Sequence, residues 1–161
     1  MKKLTTLLLM FLSIVTYSQK LDFDQYLSFL DRDMPFVNDF LLGKEWTIHS
    51  FDSKKLEKSY RFSEKGSIKE FVQFIYFNDN DIYGLRIFTY STKTYNQYIN
   101  RLDALNFVFK TQETFDNGTI LKHYRNNENN IFLRIAISHN DSLPEKILYE
   151  LYLVEEIGGK K

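Results

Sequence analysis

Four of the six arginines, Arg61, Arg86, Arg125 and Arg134, stand in stretches that otherwise alternate aromatic and aliphatic side chains. Arginine beside Phe and Tyr is the combination that anchors protein interfaces. Successive strand residues point to opposite faces, so alternation assigns each side chain to a side. Arg86 goes with Gly84, Phe88 and Tyr90; Arg134 with Phe132, Ala136 and Ser138; Tyr152 with Leu148, Glu150 and Val154. Arg61 and Arg125 point away from Tyr60 and Tyr124, and His123 sits beside Arg125. Tyr76, with Val72 and Phe74, is placed on the same side. The candidate binding set is therefore Arg61, Tyr76, Arg86, Phe88, Tyr90, His123, Arg125, Phe132, Arg134 and Tyr152. Three readings of such a face stand side by side. It is a contact surface for a partner, a wet face stabilised by cross-strand pairs, or a layer buried against another part of the same chain.

Signatures of catalysis or metal binding are weak. The histidines, His49, His123 and His139, have no ligand spacing, and there is no cysteine, so no disulfide or thiolate site exists. Asp79-Asn80-Asp81-Ile82-Tyr83-Gly84 resembles the opening of a calcium loop, but Tyr90 stands where the closing Glu belongs, and a hairpin turn is the better reading. No nucleophile elbow, phosphate loop or dinucleotide glycine pattern is present. Asn117-Gly118-Thr119 and Asn140-Asp141-Ser142 fit an N-glycosylation pattern, and Asp141-Ser142-Leu143 a bacterial O-glycosylation tripeptide. The expectation is a protein with no catalytic residue, no metal and no cofactor.

Residues 1–18 have the form of a secretory signal peptide. Lys2 and Lys3 precede an apolar run from Leu4 to Val15, too short to span a bilayer, and cleavage is expected after Ser18. Removing those two lysines leaves 19 basic against 21 acidic residues. That balance lacks the clustered positive charge of non-specific nucleic-acid binders. The expected location is the periplasm or the exterior of a bacterial cell, with no membrane span in the mature chain.

Those side chains need a scaffold, and the stretch Lys69 to Tyr90 organises it: two arms rich in Phe, Tyr, Ile and Val around Asn78-Asp79-Asn80-Asp81. Upstream, Phe23, Tyr26, Leu27 and Leu30 recur at helical spacing, Asp33 and Pro35 mark a second helix start, and Gly43 suits its C-terminal cap. Strands are expected over 45–51, 56–62, 70–77 and 82–90. A helix over 94–105 follows, then strands over 107–114, 119–125, 130–138 and 146–154. Asp116-Asn117-Gly118 is a short hairpin signal, and residues 157–161 form a polar tail.

Helix followed by four strands thus occurs twice, dividing the chain into units 19–92 and 93–156 of one compact domain. Lys58-Ser59-Tyr60-Arg61 matches Lys122-His123-Tyr124-Arg125 at an offset of 64, while Trp46 and Ile48 match Phe107 and Phe109 at a shorter one. A rival match sets FDQYLSFL (23–30) against YNQYINRL (95–102). The expected fold class is α+β: two layers, tandem helix-plus-four-antiparallel-strand units, helices on one face of the sheet. In element order the chain resembles the tandem-repeat β-lactamase inhibitor proteins, and is similar to small outer-membrane assembly lipoproteins. The resemblance implies the layered architecture and carries no residue roles. The functional expectation is an exported bacterial protein-binding module of inhibitor, immunity or envelope-assembly type that binds another protein through its open sheet face. The alternative is a carrier of an apolar small molecule or lipid in a cavity between sheet and helix.

Overall fold

The computed structural model describes residues 21–53, 58–64, 70–76, 82–140 and 143–155. The leader over 1–18, the turn at Asn78 to Asp81, the glycosylation tripeptide at Asp141 and Ser142 and the tail over 157–161 lie outside the described residues.

Among the described residues, three short α-helices form where caps satisfy the free N–H groups of the first turn. In α1 (Phe23–Ser28), Asp22 Oδ1 accepts from the Gln25 N–H at 2.8 Å while Gln25 Oε1 accepts from the Asp22 N–H at 3.0 Å, a reciprocal capping box. A 3-10 turn, Phe29–Asp31, links it to α2 (Met34–Gly43), where Asp33 Oδ1 accepts from the Phe36 N–H at 3.0 Å. Gly43 is the last helical residue rather than the left-handed cap expected of it; the positive φ, 61°, falls on Glu45. Ser91 caps α3 (Thr92–Ile99), which ends well before Leu105 and gives way to a 3-10 turn, Asp103–Leu105.

The strands are β1 (Trp46–Ser53), β2 (Lys58–Glu64), β3 (Glu70–Tyr76), β4 (Ile82–Thr89), β5 (Phe107–Thr114), β6 (Ile120–Asn126), β7 (Ile131–Asn140) and β8 (Leu143–Glu155). They form one antiparallel sheet of eight strands in the order β1-β2-β3-β4-β8-β7-β6-β5. Each run of four is an up-and-down meander, and the two meanders meet where β4 pairs with β8. The hairpin between β5 and β6 turns at Gly118, whose φ of 78° is costly for any residue with a Cβ. Asn117 Oδ1 braces it by accepting from the Thr119 N–H at 3.0 Å.

The three described helices pack on one side of the sheet. Phe23, Tyr26, Phe29, Val37 and Leu41 of the first helical segment, with Tyr95, Tyr98 and Leu102 of the second, meet Phe62, Phe74, Leu85, Ile87, Leu133, Ile135, Leu151 and Leu153 in one buried cluster. The edge-to-face contact of Phe29 with Phe74 knits the two layers together, and Phe74 meets Phe62 of the neighbouring strand in the same way. Glu70 ties the second helical segment down. Its Oε1 accepts from Thr94 Oγ1 at 2.9 Å and from Thr89 Oγ1 at 3.3 Å. Among the described residues, no helix is long and apolar enough to cross a membrane.

The two edges are built alike. Glu45 and Asn106, with φ of 61° and 59°, each precede a buried aromatic that opens an edge strand, Trp46 or Phe107. Each edge strand then slips register against its neighbour, between Ile48 and Ser50 in β1 and between Phe109 and Thr111 in β5. Such bulges twist an edge and discourage pairing with another chain. Counting from the bulges, Arg61 (opposite Ser50) takes the place of His123 (opposite Thr111), not of Arg125. The 64-residue offset read from KSYR and KHYR is corrected accordingly: sequence identity there does not follow the ladder.

Candidate binding face

The side of the sheet away from the helices is a set of rows that run across the strands. The central row is continuous over all eight: Ser50, Arg61, Gln73, Arg86, Tyr152, Arg134, His123, Thr111, each paired with the next. On one side runs Ser63, Phe71, Phe88, Glu150, Ala136, Leu121 and Glu113. On the other runs Ser59, Ile75, Gly84, Val154, Phe132, Arg125 and Val108. A cationic line thus lies between two borders that are largely apolar.

The arginines do not stand free of the sheet. Arg61 lies over Phe71, its guanidinium carbon 4.9 Å from the ring centre, and within 5.9 Å of Phe88; those two rings stack at 4.4 Å. Arg86 and Arg134, from the strands flanking β8, both stand against Tyr152, at 4.8 and 5.3 Å. Arg125 lies over Phe132 at 4.6 Å. All four guanidinium groups therefore make cation–π contacts on one face, each worth on the order of 0.5–1 kcal/mol where exposed. Glu150 Oε1 stands 3.8 Å from Arg86 Nε, and Glu113 Oε1 the same distance from His123 Nε2. The Gln73 amide donates to Ser59 Oγ at 3.1 Å, and the Tyr152 ring leans over Gly84.

The structure gathers Arg61, Arg86, Phe88, His123, Arg125, Phe132, Arg134 and Tyr152 on this face. Phe88 is buried there beneath Arg61 and Phe71, whereas Phe132 is exposed. Two of the ten expected residues fall elsewhere. Tyr76 belongs to the helix side, stacked on Tyr60 with ring centres 5.9 Å apart, and Val72 and Phe74 point the same way into the core. That face assignment is corrected, and its cause is that β3 carries large apolar groups on both sides, which leaves Gln73 alone to set the phase of its alternation. Register supplies the phase, because Val72 pairs with Phe62 and Phe74 with Leu85. Tyr90 lies past the end of β4, in the link to α3, outside the ladder. Sequence reasoning missed Phe71 and Gln73, which take the places given to Val72 and Tyr76. Gln73, the polar residue within the apolar run 71–76, was the available signal.

The other two arginines sit on the helical layer. Arg32 lies over Phe36, and Arg101 forms a 2.7 Å ion pair with Asp24. The tyrosines whose hydroxyl pKa is raised also lie on the helix side. Burial pushes Tyr26 well up, with Tyr98 and Glu70 adding to it, and Tyr98 rises for the same first reason. Burial and then the Tyr60 hydroxyl push Tyr76 to about 12. No group of three or more His, Cys, Asp or Glu among the described residues could hold a metal ion; His49, His123 and His139 lie on β1, β6 and β7.

A cleft of about 730 Å³ opens between α1 and α3, lined by Leu21 to Asp24 and by Ser91, Lys93, Thr94, Gln97, Tyr98, Asn100 and Arg101. Its walls mix apolar groups, among them Leu21, Phe23 and Tyr98, with polar ones, and the paired Asp24 and Arg101 both line it. Comparison with family models, curated proteins and solved structures found no match to this chain.

Proposed function

We propose that this is an exported bacterial protein-binding module that captures another protein on the open sheet face and performs no catalysis. One observation carries the reading: a continuous cationic row, bordered by apolar rows, on the side of the sheet that no described helix covers. Large apolar groups beside arginine are costly to leave in water and rewarding to cover. Inhibitor, immunity and envelope-assembly roles all fit a face of this kind. Export rests on the sequence of residues 1–18. The same reading takes the chain as two helix-plus-four-strand units, 19–92 and 93–156. Support comes from the matching left-handed residues Glu45 and Asn106 and the matching edge bulges.

The carrier reading has less support. The space between helices and sheet is filled by one cluster of packed side chains, and the cleft between α1 and α3 carries an ion pair, Asp24–Arg101, on its wall. The test is affinity capture from an envelope extract with the protein as bait, comparing the wild type with the Arg86→Ala/Tyr152→Ala double variant. Loss of a captured protein by a folded variant is the expected result; unchanged capture removes this face from the function.

A further inference from the structure

We infer that the partner presents an acidic segment laid across the strands, its carboxylates in line with Arg61, Arg86 and Arg134. The inference rests on the protein-binding reading above and names the chemistry of the partner. Arg61, Arg86 and Arg134 lie in β2, β4 and β7 at one height of the ladder, each separated from the next by a single strand. Strands pair about 4.8 Å apart, so these three stand at intervals of roughly 10 Å.

A helix that carries Glu at every seventh position has the same interval, because its rise of about 1.5 Å per residue brings the next carboxylate roughly 10.5 Å along. Its flanking apolar residues would then meet Phe71 on one border and Val154 or Phe132 on the other. The arginines are set for this role. Stacking holds each guanidinium over a ring and leaves its N–H edges to grip a carboxylate in two-pronged fashion. The Nε–H groups of Arg61 and Arg86 are buried, so it is the terminal Nη pair of each that an incoming carboxylate would meet.

Rival occupants fit less well. A sugar needs open ring faces, and Arg61, Arg86, Arg125 and Arg134 already cover them. A nucleic acid carries phosphates about every 3.4 Å per strand, far denser than the spacing of this row. A second copy docked by the same face would set arginine against arginine.

The test titrates the protein with two helical peptides of identical composition, one with Glu at every seventh position and one scrambled, and follows the arginine side-chain N–H signals by NMR. Heparin and inorganic phosphate are separate arms. The expected result is saturable binding of the regular peptide with shifts at Arg61, Arg86 and Arg134. It should weaken about tenfold in Arg86→Gln, since a charged hydrogen-bonding group is lost. Arg86→Lys should recover only part of that, and Arg101→Gln on the helical layer should change nothing. Equal binding of both peptides, tighter binding of heparin or phosphate, or concentration-dependent self-association that blocks the peptide overturns the inference. If the double variant loses its captured partner yet neither peptide binds, the acidic segment is wrong and the protein-binding face survives. If capture is also unchanged, both fall.

Discussion

The Arg86 guanidinium carbon stands 4.8 Å from the centre of the Tyr152 ring, across the β4–β8 seam at the middle of the sheet. Arg134 approaches the same ring from β7, so one aromatic residue organises two of the four cations on the open face. Nothing in the hydrophobic core depends on this arrangement, because both side chains point away from the helices. Binding and folding can therefore be separated by substitution.

Arg86→Ala combined with Tyr152→Ala should leave the fold intact. Lost cation–π and ion-pair contacts at a partly exposed site cost about 1–2 kcal/mol in total. Thermal unfolding should show a modest fall in midpoint with an unchanged far-UV spectrum, while partner capture disappears. Collapse of the spectrum would mean that the face is structural.

Phe74→Ala should be severe. The ring is fully buried and touches both Phe29 and Phe62, so its removal opens a cavity between helix and sheet. The expected loss is about 3–5 kcal/mol, read from denaturant midpoints at constant m value. A loss below about 1 kcal/mol would contradict the packing described.

Asn126 is a buried polar residue whose side chain is satisfied three times. It donates to the Leu105 carbonyl at 2.7 Å and accepts from the N–H groups of Glu128 and Asn129 at 2.9 and 3.1 Å. Asn126→Ala leaves that carbonyl and both donors without this partner, at a cost of about 1–3 kcal/mol. Hydrogen exchange should quicken first in the 126–130 turn and the adjacent 3-10 turn.

Stability should fall in alkali. A tyrosine whose folded pKa is raised keeps its proton longer in the native state, so its contribution is complete below the ordinary value of 10.0 and is lost as pH rises through the folded value. With Tyr76 at about 12 and Tyr26 and Tyr98 raised by burial, the unfolding midpoint should drop between pH 10 and about 12. Tyr98→Phe, which gives up a 3.3 Å hydrogen bond to the Leu21 carbonyl, should be less stable at neutral pH but fall less steeply over that window. Ionisation of Tyr26, Tyr76 or Tyr98 at pH 10 without unfolding, read from each residue's own ring signals by NMR, would refute the burial.

Much of the fold was legible because local physics wrote it. Ile131, Leu133, Ile135 and Ile137 make one side of β7 wholly aliphatic, while Arg134 and Ser138 mark the other as the wet one; Asp33 with Pro35, and Asn117 with Gly118, fixed a helix start and a turn through hydrogen bonds within a few residues. The open face was recoverable wherever a strand had one polar side, which is how Arg86, Arg134 and Tyr152 were found. It failed at β3, where rings and aliphatic groups occupy both sides and only Gln73 marks the wet one. Only strand order and register decided the rest. Leu85 faces Leu153, and Arg86 faces Tyr152, because burying the two meanders under one helical layer brings β4 against β8. That is a long-range choice, made by shared burial of distant segments, and residues close together in the chain carry no trace of it.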